Sequence, residues 1–132
     1  MQNDYELDNF QSMHSRFFAK LLEFRTRIYL SHVEQKSFLL SKHEALYSTY
    51  VDLGPKIDSL LKGFTGLYNY PNIRIFELGT IPENKLLEYV QDFYRFINES
   101  RDALFKDHSL IRIIDEISGI VCDLIYRLKY TK

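Results

Sequence analysis

Between residues 110 and 128, Leu110, Ile113, Ile114, Ile117, Ile120, Val121, Leu124, Ile125 and Leu128 recur at intervals of three and four. That period is one broad face of an α-helix and does not fit a strand. A helix so apolar on one side must be covered by other elements with matching faces. The spacing predicts a helix from near Asp107 or Ser109 to about Lys129, with Arg127, Lys129 and Lys132 at the end where the macrodipole favours cations.

The rest of the chain supplies those faces. From about Asp4 to His32, Leu7, Phe10, Phe17, Leu21, Phe24 and Ile28 form a helical stripe. Phe18, Leu22 and Tyr29 widen it, and Glu23, Arg25 and Arg27 take the opposite side. Ser41-Lys42-His43-Glu44 matches a capping box and opens a second helix carrying Ala45, Leu46, Tyr50 and Leu53. Gly54-Pro55 is expected to end that helix, with Pro55 in the first turn of a third that carries Ile57, Leu60, Leu61, Phe64 and Leu67. Thr80-Ile81-Pro82-Glu83 reads as another capping box, before a helix with Leu86, Leu87, Val90, Phe93 and Ile97 that Asn98-Glu99-Ser100 interrupts. Between them, residues 68–79 lose the helical period, and Asn69, Pro71 and Asn72 signal a turn. With no strand to pair with in the chain, this stretch is a long packed loop, or an edge that pairs with another copy.

A chain of 132 residues with these stripes is expected to form a single domain over 1–132. The expected fold is all-α: an antiparallel four- to five-helix bundle with one long ordered loop at 68–79. Ten Phe and ten Tyr exceed what so small a bundle easily buries. Tyr29, Tyr47, Tyr68, Tyr70, Tyr89, Tyr94 and Tyr126 are therefore expected at half-exposed positions. Tyrosine suits an interface there, because it joins an apolar body to a polar tip.

Several classes of function are disfavoured. Seventeen basic against eighteen acidic residues leave no basic excess for gripping duplex nucleic acid. No apolar run approaches the ~20 residues of a membrane span. The opening residues Met1-Gln2-Asn3-Asp4-Tyr5-Glu6 lack the basic and apolar regions of a signal peptide, so the cytoplasm is the expected location. His14, His32, His43 and His108 show none of the Glu-x-x-His or His-x-x-x-His spacings of metal sites, and no glycine-rich phosphate loop occurs. No cofactor and no metal are expected. Cys122, among Ile120, Val121 and Leu124, is expected to be a small core residue.

One run carries possible chemistry. In Arg101-Asp102-Ala103-Leu104-Phe105-Lys106-Asp107-His108, an arginine and a polar residue precede a histidine with six residues between Arg101 and His108. Arg25–His32 and Arg27–His32 have similar spacing, but only Arg101–His108 lies beside the last long helix. This resembles the HEPN superfamily of small helical domains. The resemblance implies a metal-independent endoribonuclease, with Arg101 and His108 in a cleft between two copies. There histidine would move the 2′-hydroxyl proton, and arginine would stabilise charge on the phosphorane. The leading expectation is different: a protein-interaction or assembly module, self-associating or bound to a protein partner. Its surface would be Tyr68, Tyr70, Ile73, Ile75, Phe76 and Tyr94. RNA is a partner only under the nuclease reading.

Overall fold

The computed structural model describes residues 4–34, 39–75 and 77–130, with side chains from 13 onward. Among the described residues there are four α-helices: α1 (Asp4–Glu34), α2 (Leu40–Leu67), α3 (Leu86–Leu104) and α4 (His108–Tyr130). A single 3₁₀ turn (Glu83–Lys85) leads into α3. Around the bundle the order is α1, α2, α4, α3, and the α1–α3 edge is the least extensive of the four contacts.

Every adjacent pair is antiparallel. Along α1 and α3, Ser31 meets Ile81 just before α3, and His14 meets Leu104 at its end. Along α2 and α4, Ser48 meets Arg127 and Lys56 meets Glu116. Along α3 and α4, Asn98 meets Ser118 and Arg101 meets Asp115. With α1 running up and α2 down, α3 must again run down. Residues 68–82 therefore cross the length of the bundle to bring the chain back to its upper end. A bundle with such a crossover is one of the standard topologies for four helices. The expected long loop is this crossover.

The core follows the stripes read from the sequence. Phe17, Phe18, Leu21, Phe24 and Ile28 of α1 are buried with Leu46, Leu53, Leu60, Val90, Ile97, Ile114, Ile117, Val121 and Leu124. Phe24 and Phe93 stack with centroids 3.9 Å apart at 5°, joining α1 to α3 where the edge is otherwise thin.

Four local expectations are corrected. First, Gly54-Pro55 does not end a helix: α2 runs unbroken from Leu40 to Leu67 with Pro55 inside it. No glycine in the described residues has positive φ, so Gly54 is not a left-handed cap. The Arg25 guanidinium occupies the space above it, and a Cβ on Gly54 would come 2.7 Å from its Nη2. Arg25 Nε donates to the Tyr50 carbonyl at 2.8 Å, and the guanidinium lies 3.9 Å above the Tyr50 ring. Arg25 is thus not on the solvent side of α1 but clamps α2 one turn before its proline. Tertiary contact outweighs the local cost of proline, about 3 kcal/mol in a helix interior.

Second, neither capping box forms. The residues preceding α2 and the 3₁₀ turn are Leu39 and Pro82, and neither supplies a side-chain cap. The start of α3 is fixed instead by buried Ile81, whose N–H donates to Ser31 Oγ at 3.0 Å. Third, Asn98 does not interrupt α3. Its amide donates to the Tyr94 carbonyl at 2.9 Å and reaches Ser118 at 3.3 Å, satisfying itself without breaking the helix. Fourth, Cys122 is exposed. It follows the buried Val121, and one residue turns the side chain ~100° around the helix and off the core face.

The break between α3 and α4 does fall at 105–107. Phe105 takes an extended backbone and buries its ring against Phe17, at 5.0 Å between centroids, and His14, at 5.2 Å. The Asp107 carbonyl then accepts from the Leu110 and Ile111 N–H groups to start α4. Its carboxylate accepts the Tyr68 hydroxyl at 2.6 Å, holding the end of α2 to the start of α4. That bond raises the Tyr68 pKa above the usual phenol range. The possible break at Gln35 lies outside the described residues.

Candidate functional site

Within one chain, the bonds of Arg101 go to carboxylates and not to His108. Arg101, on the α4-facing side of α3, donates to Asp115 with Nε at 2.6 Å and Nη2 at 3.2 Å, and to Asp102 with Nη1 at 2.9 Å. The Asp115 bonds, then the Asp102 bond, push its pKa still higher. His108 is exposed in the first turn of α4. Among the described residues no hydrogen bond links the two. An arginine forked onto one carboxylate and held by a second has its charge largely neutralised, and it ties α3 to α4 as a staple.

The expected interaction residues divide between two places. Tyr94 lies on the same side of α3 as Asn98 and Arg101, facing α4, and packs on the core. The others belong to the crossover, apart from Phe76, which lies outside the described residues. Pro71 is buried and Ile73 packs on the core, so they anchor the segment inward. Tyr70 is 63% exposed, Leu78 47% and Ile75 38%. Tyr68 is also exposed, although its ring lies 5.0 Å from Phe64. Among the described residues, no backbone–backbone hydrogen bond involves 69–80. The crossover is therefore pinned on one side, where the Gly79 carbonyl also accepts from Arg27, and presents apolar side chains on the other.

Beneath the crossover, along α1, runs a groove made of two adjoining clefts. One, of about 440 Å³, is lined by Ser15, Arg16, Lys20, Asn72 and Arg74 with Glu23 and Glu77. The second, of about 240 Å³, continues from Arg16 and Lys20 toward Tyr89 and Phe96 of α3. Arg27 closes its upper end. Arg27 Nε donates to the Gly79 carbonyl at 2.8 Å, a guanidinium nitrogen lies 3.8 Å from Glu77, and the group sits 4.9 Å from the Tyr89 ring. Burial pushes the Tyr89 hydroxyl up to about 12, Arg27 opposing the shift and Glu23 adding to it.

Sequence reading missed this groove because its residues are scattered over α1, the crossover and α3. The available signal was Arg16 and Lys20, one turn apart beside the apolar stripe of α1. It also missed two capping histidines. Buried His14 donates from Nε2 to the Leu104 carbonyl at 2.8 Å and stacks on Phe64. His43 donates from Nδ1 to the His32 carbonyl at 3.0 Å. Each satisfies a carbonyl in the last turn of another helix, where no intrahelical partner exists.

Among the described residues, no group of three or more His, Cys, Asp or Glu side chains is placed to hold a metal ion, and no helix is long and apolar enough to cross a membrane. The chain matches no family model, and no curated protein or solved structure is significantly similar to it.

Proposed function

We propose that this helical bundle is an assembly module that associates with a second copy of itself through the outer side of the crossover. The observation that supports this is the crossover's two-sidedness: Pro71 and Ile73 turned inward, Tyr70, Ile75 and Leu78 turned outward, and no backbone–backbone hydrogen bond between 69 and 80 among the described residues. A segment held from below pays little ordering entropy on binding. Its exposed aromatic and aliphatic side chains are the kind that anchor interfaces. Backbone groups without a backbone partner can pair with the same segment of another copy across a two-fold axis. A net charge of −1 puts little long-range repulsion between copies.

The test is sedimentation velocity over a hundredfold range of concentration. The wild-type chain is expected to shift toward a dimer, and Tyr70→Asp with Ile75→Asp to remain a monomer with unchanged helix content. A wild-type monomer throughout, or a dimer indifferent to both substitutions, rejects the proposal.

A further inference from the structure

We propose that the groove between α1 and the crossover binds a small phosphate ester, with Arg16, Lys20 and Arg74 holding the phosphate. The proposal concerns the inner edge of the crossover and stands apart from self-association through its outer side.

The argument begins with which cations are already engaged. Of the eight arginines, Arg25, Arg27, Arg95, Arg101 and Arg127 each bond a carbonyl, carboxylate or hydroxyl. Among the described residues, Arg16, Arg74 and Arg112 have no such partner. Two of those three line the same cleft, and Lys20, also without a partner, lines it with them. In a chain with one more acid than base, three cations against Glu23 and Glu77 give this cleft a small local excess of positive charge. Arg16 and Lys20 come from one wall, a single helical turn apart, and Arg74 from the other. Guanidinium groups are suited to phosphate oxygens because they offer paired donors. Ser15 and Asn72 add a hydroxyl and an amide in the same lining.

The remaining lining selects the rest of the ligand. Glu23, Glu77 and Asp92 line the groove too, against the four cations Arg16, Lys20, Arg27 and Arg74, and Asp92 is paired with Arg95. Glu77 leans on Arg27 and Glu23 acts on Tyr89, so these two carboxylates reach toward the Arg27 end while also lining the larger cleft. A ligand with its phosphate among Arg16, Lys20 and Arg74 would direct its other end toward acceptors for hydroxyl or amino groups. Tyr89 and Phe96 give that end an aromatic wall. The larger cleft, about 440 Å³, is within the ~300–1,000 Å³ of small-molecule sites. A nucleoside or sugar monophosphate matches this order of groups. A bare polyanion meets the carboxylates and does not.

The test is amide NMR on the full chain at a protein concentration where it is monomeric, titrated with AMP, ribose 5-phosphate and inorganic phosphate at constant ionic strength. Saturating shifts are expected at residues 15, 16, 20, 72 and 74 with both esters, with AMP adding shifts at 89 and 96. Inorganic phosphate is expected to bind more weakly. Arg16→Gln and Arg74→Gln should each weaken AMP by about tenfold or more, the scale of one lost charged hydrogen bond. Lys62→Gln, on α2, should change it less than twofold. Shifts that do not saturate, that spread over exposed lysines such as Lys62 and Lys85, or that survive both arginine substitutions overturn the proposal. Inorganic phosphate binding as tightly as AMP overturns the assignment of an organic end.

Discussion

The α3–α4 seam and the α1–crossover groove both carry arginines, and they use them in opposite ways. At the seam, Arg101 is forked onto Asp115 and touches Asp102, while Asn98 and Ser118 bond each other nearby. Charge and polarity there are consumed by holding two helices together. Along the groove, Arg16, Lys20 and Arg74 surround a cleft with no carboxylate bonded to any of them among the described residues. A motif drew attention to the first arginine, and geometry draws attention to the second group. A charged residue is informative about function when its partner is missing, not when it stands near a histidine in sequence.

The largest effect that can break this comparison is beneath the groove. Phe24→Ala removes the ring stacked on Phe93 at the thinnest edge of the bundle. The expected loss is about 3–5 kcal/mol in urea unfolding, as for other buried Phe truncations. A loss below about 1 kcal/mol would mean that the α1–α3 edge contributes little to the fold. His14→Ala comes next. It leaves the Leu104 carbonyl without its side-chain donor and opens space beside Phe64 and Phe105. The expected cost is about 1–3 kcal/mol, with faster amide exchange at the end of α3 as the local signature.

At the seam the expected effects are smaller. Arg101→Ala and Asp115→Asn should each lower the unfolding midpoint slightly, and the double variant should lower it by less than the sum, since both remove one interaction. Additive losses would deny that the staple is a unit. In contrast, Arg16→Gln and Arg74→Gln should leave the midpoint where it was. Arg101→Ala and His108→Ala separate the nuclease reading from the structural one: RNA cleavage without metal that both abolish would restore Arg101 to a catalytic role.

The smallest effect is one of pH. Tyr89 is neutral when protonated, and its folded pKa, about 12, lies above the unfolded value near 10. Its contribution to stability is therefore fully present below pH 10 and is lost as the pH rises through about 12. Phenolate absorbance should show late-titrating tyrosines, of which Tyr89→Phe removes one while Tyr68, bonded to Asp107, remains. If Tyr89→Phe leaves the late part of the titration unchanged, the upper end of the groove is open to water.

The stripes of α1, α3 and α4, the long segment at 68–79 and the break near Asp107 were legible because each depends on local period or a local breaker. Gly54-Pro55 was misread for a reason outside its own neighbourhood: Arg25, remote in sequence, fills the space over Gly54 and bonds the Tyr50 carbonyl. The capping boxes failed in a similar way, since Ser31 of α1 rather than Thr80 satisfies the chain entering α3. The crossover's exposed residues were partly legible, because aromatics in a non-helical stretch are conspicuous. The groove was not, because it exists only once the crossover lies along α1 and brings Arg74 opposite Arg16.

The central claim is that the crossover face is where this protein meets other molecules, while the α3–α4 seam serves the fold. Hydrogen exchange followed by mass spectrometry at low and high protein concentration tests it directly. Protection is expected to rise with concentration across residues 69–79 and to stay constant across 98–118. Protection that instead rises on the outer face of α4, or that is independent of concentration everywhere, would contradict the account.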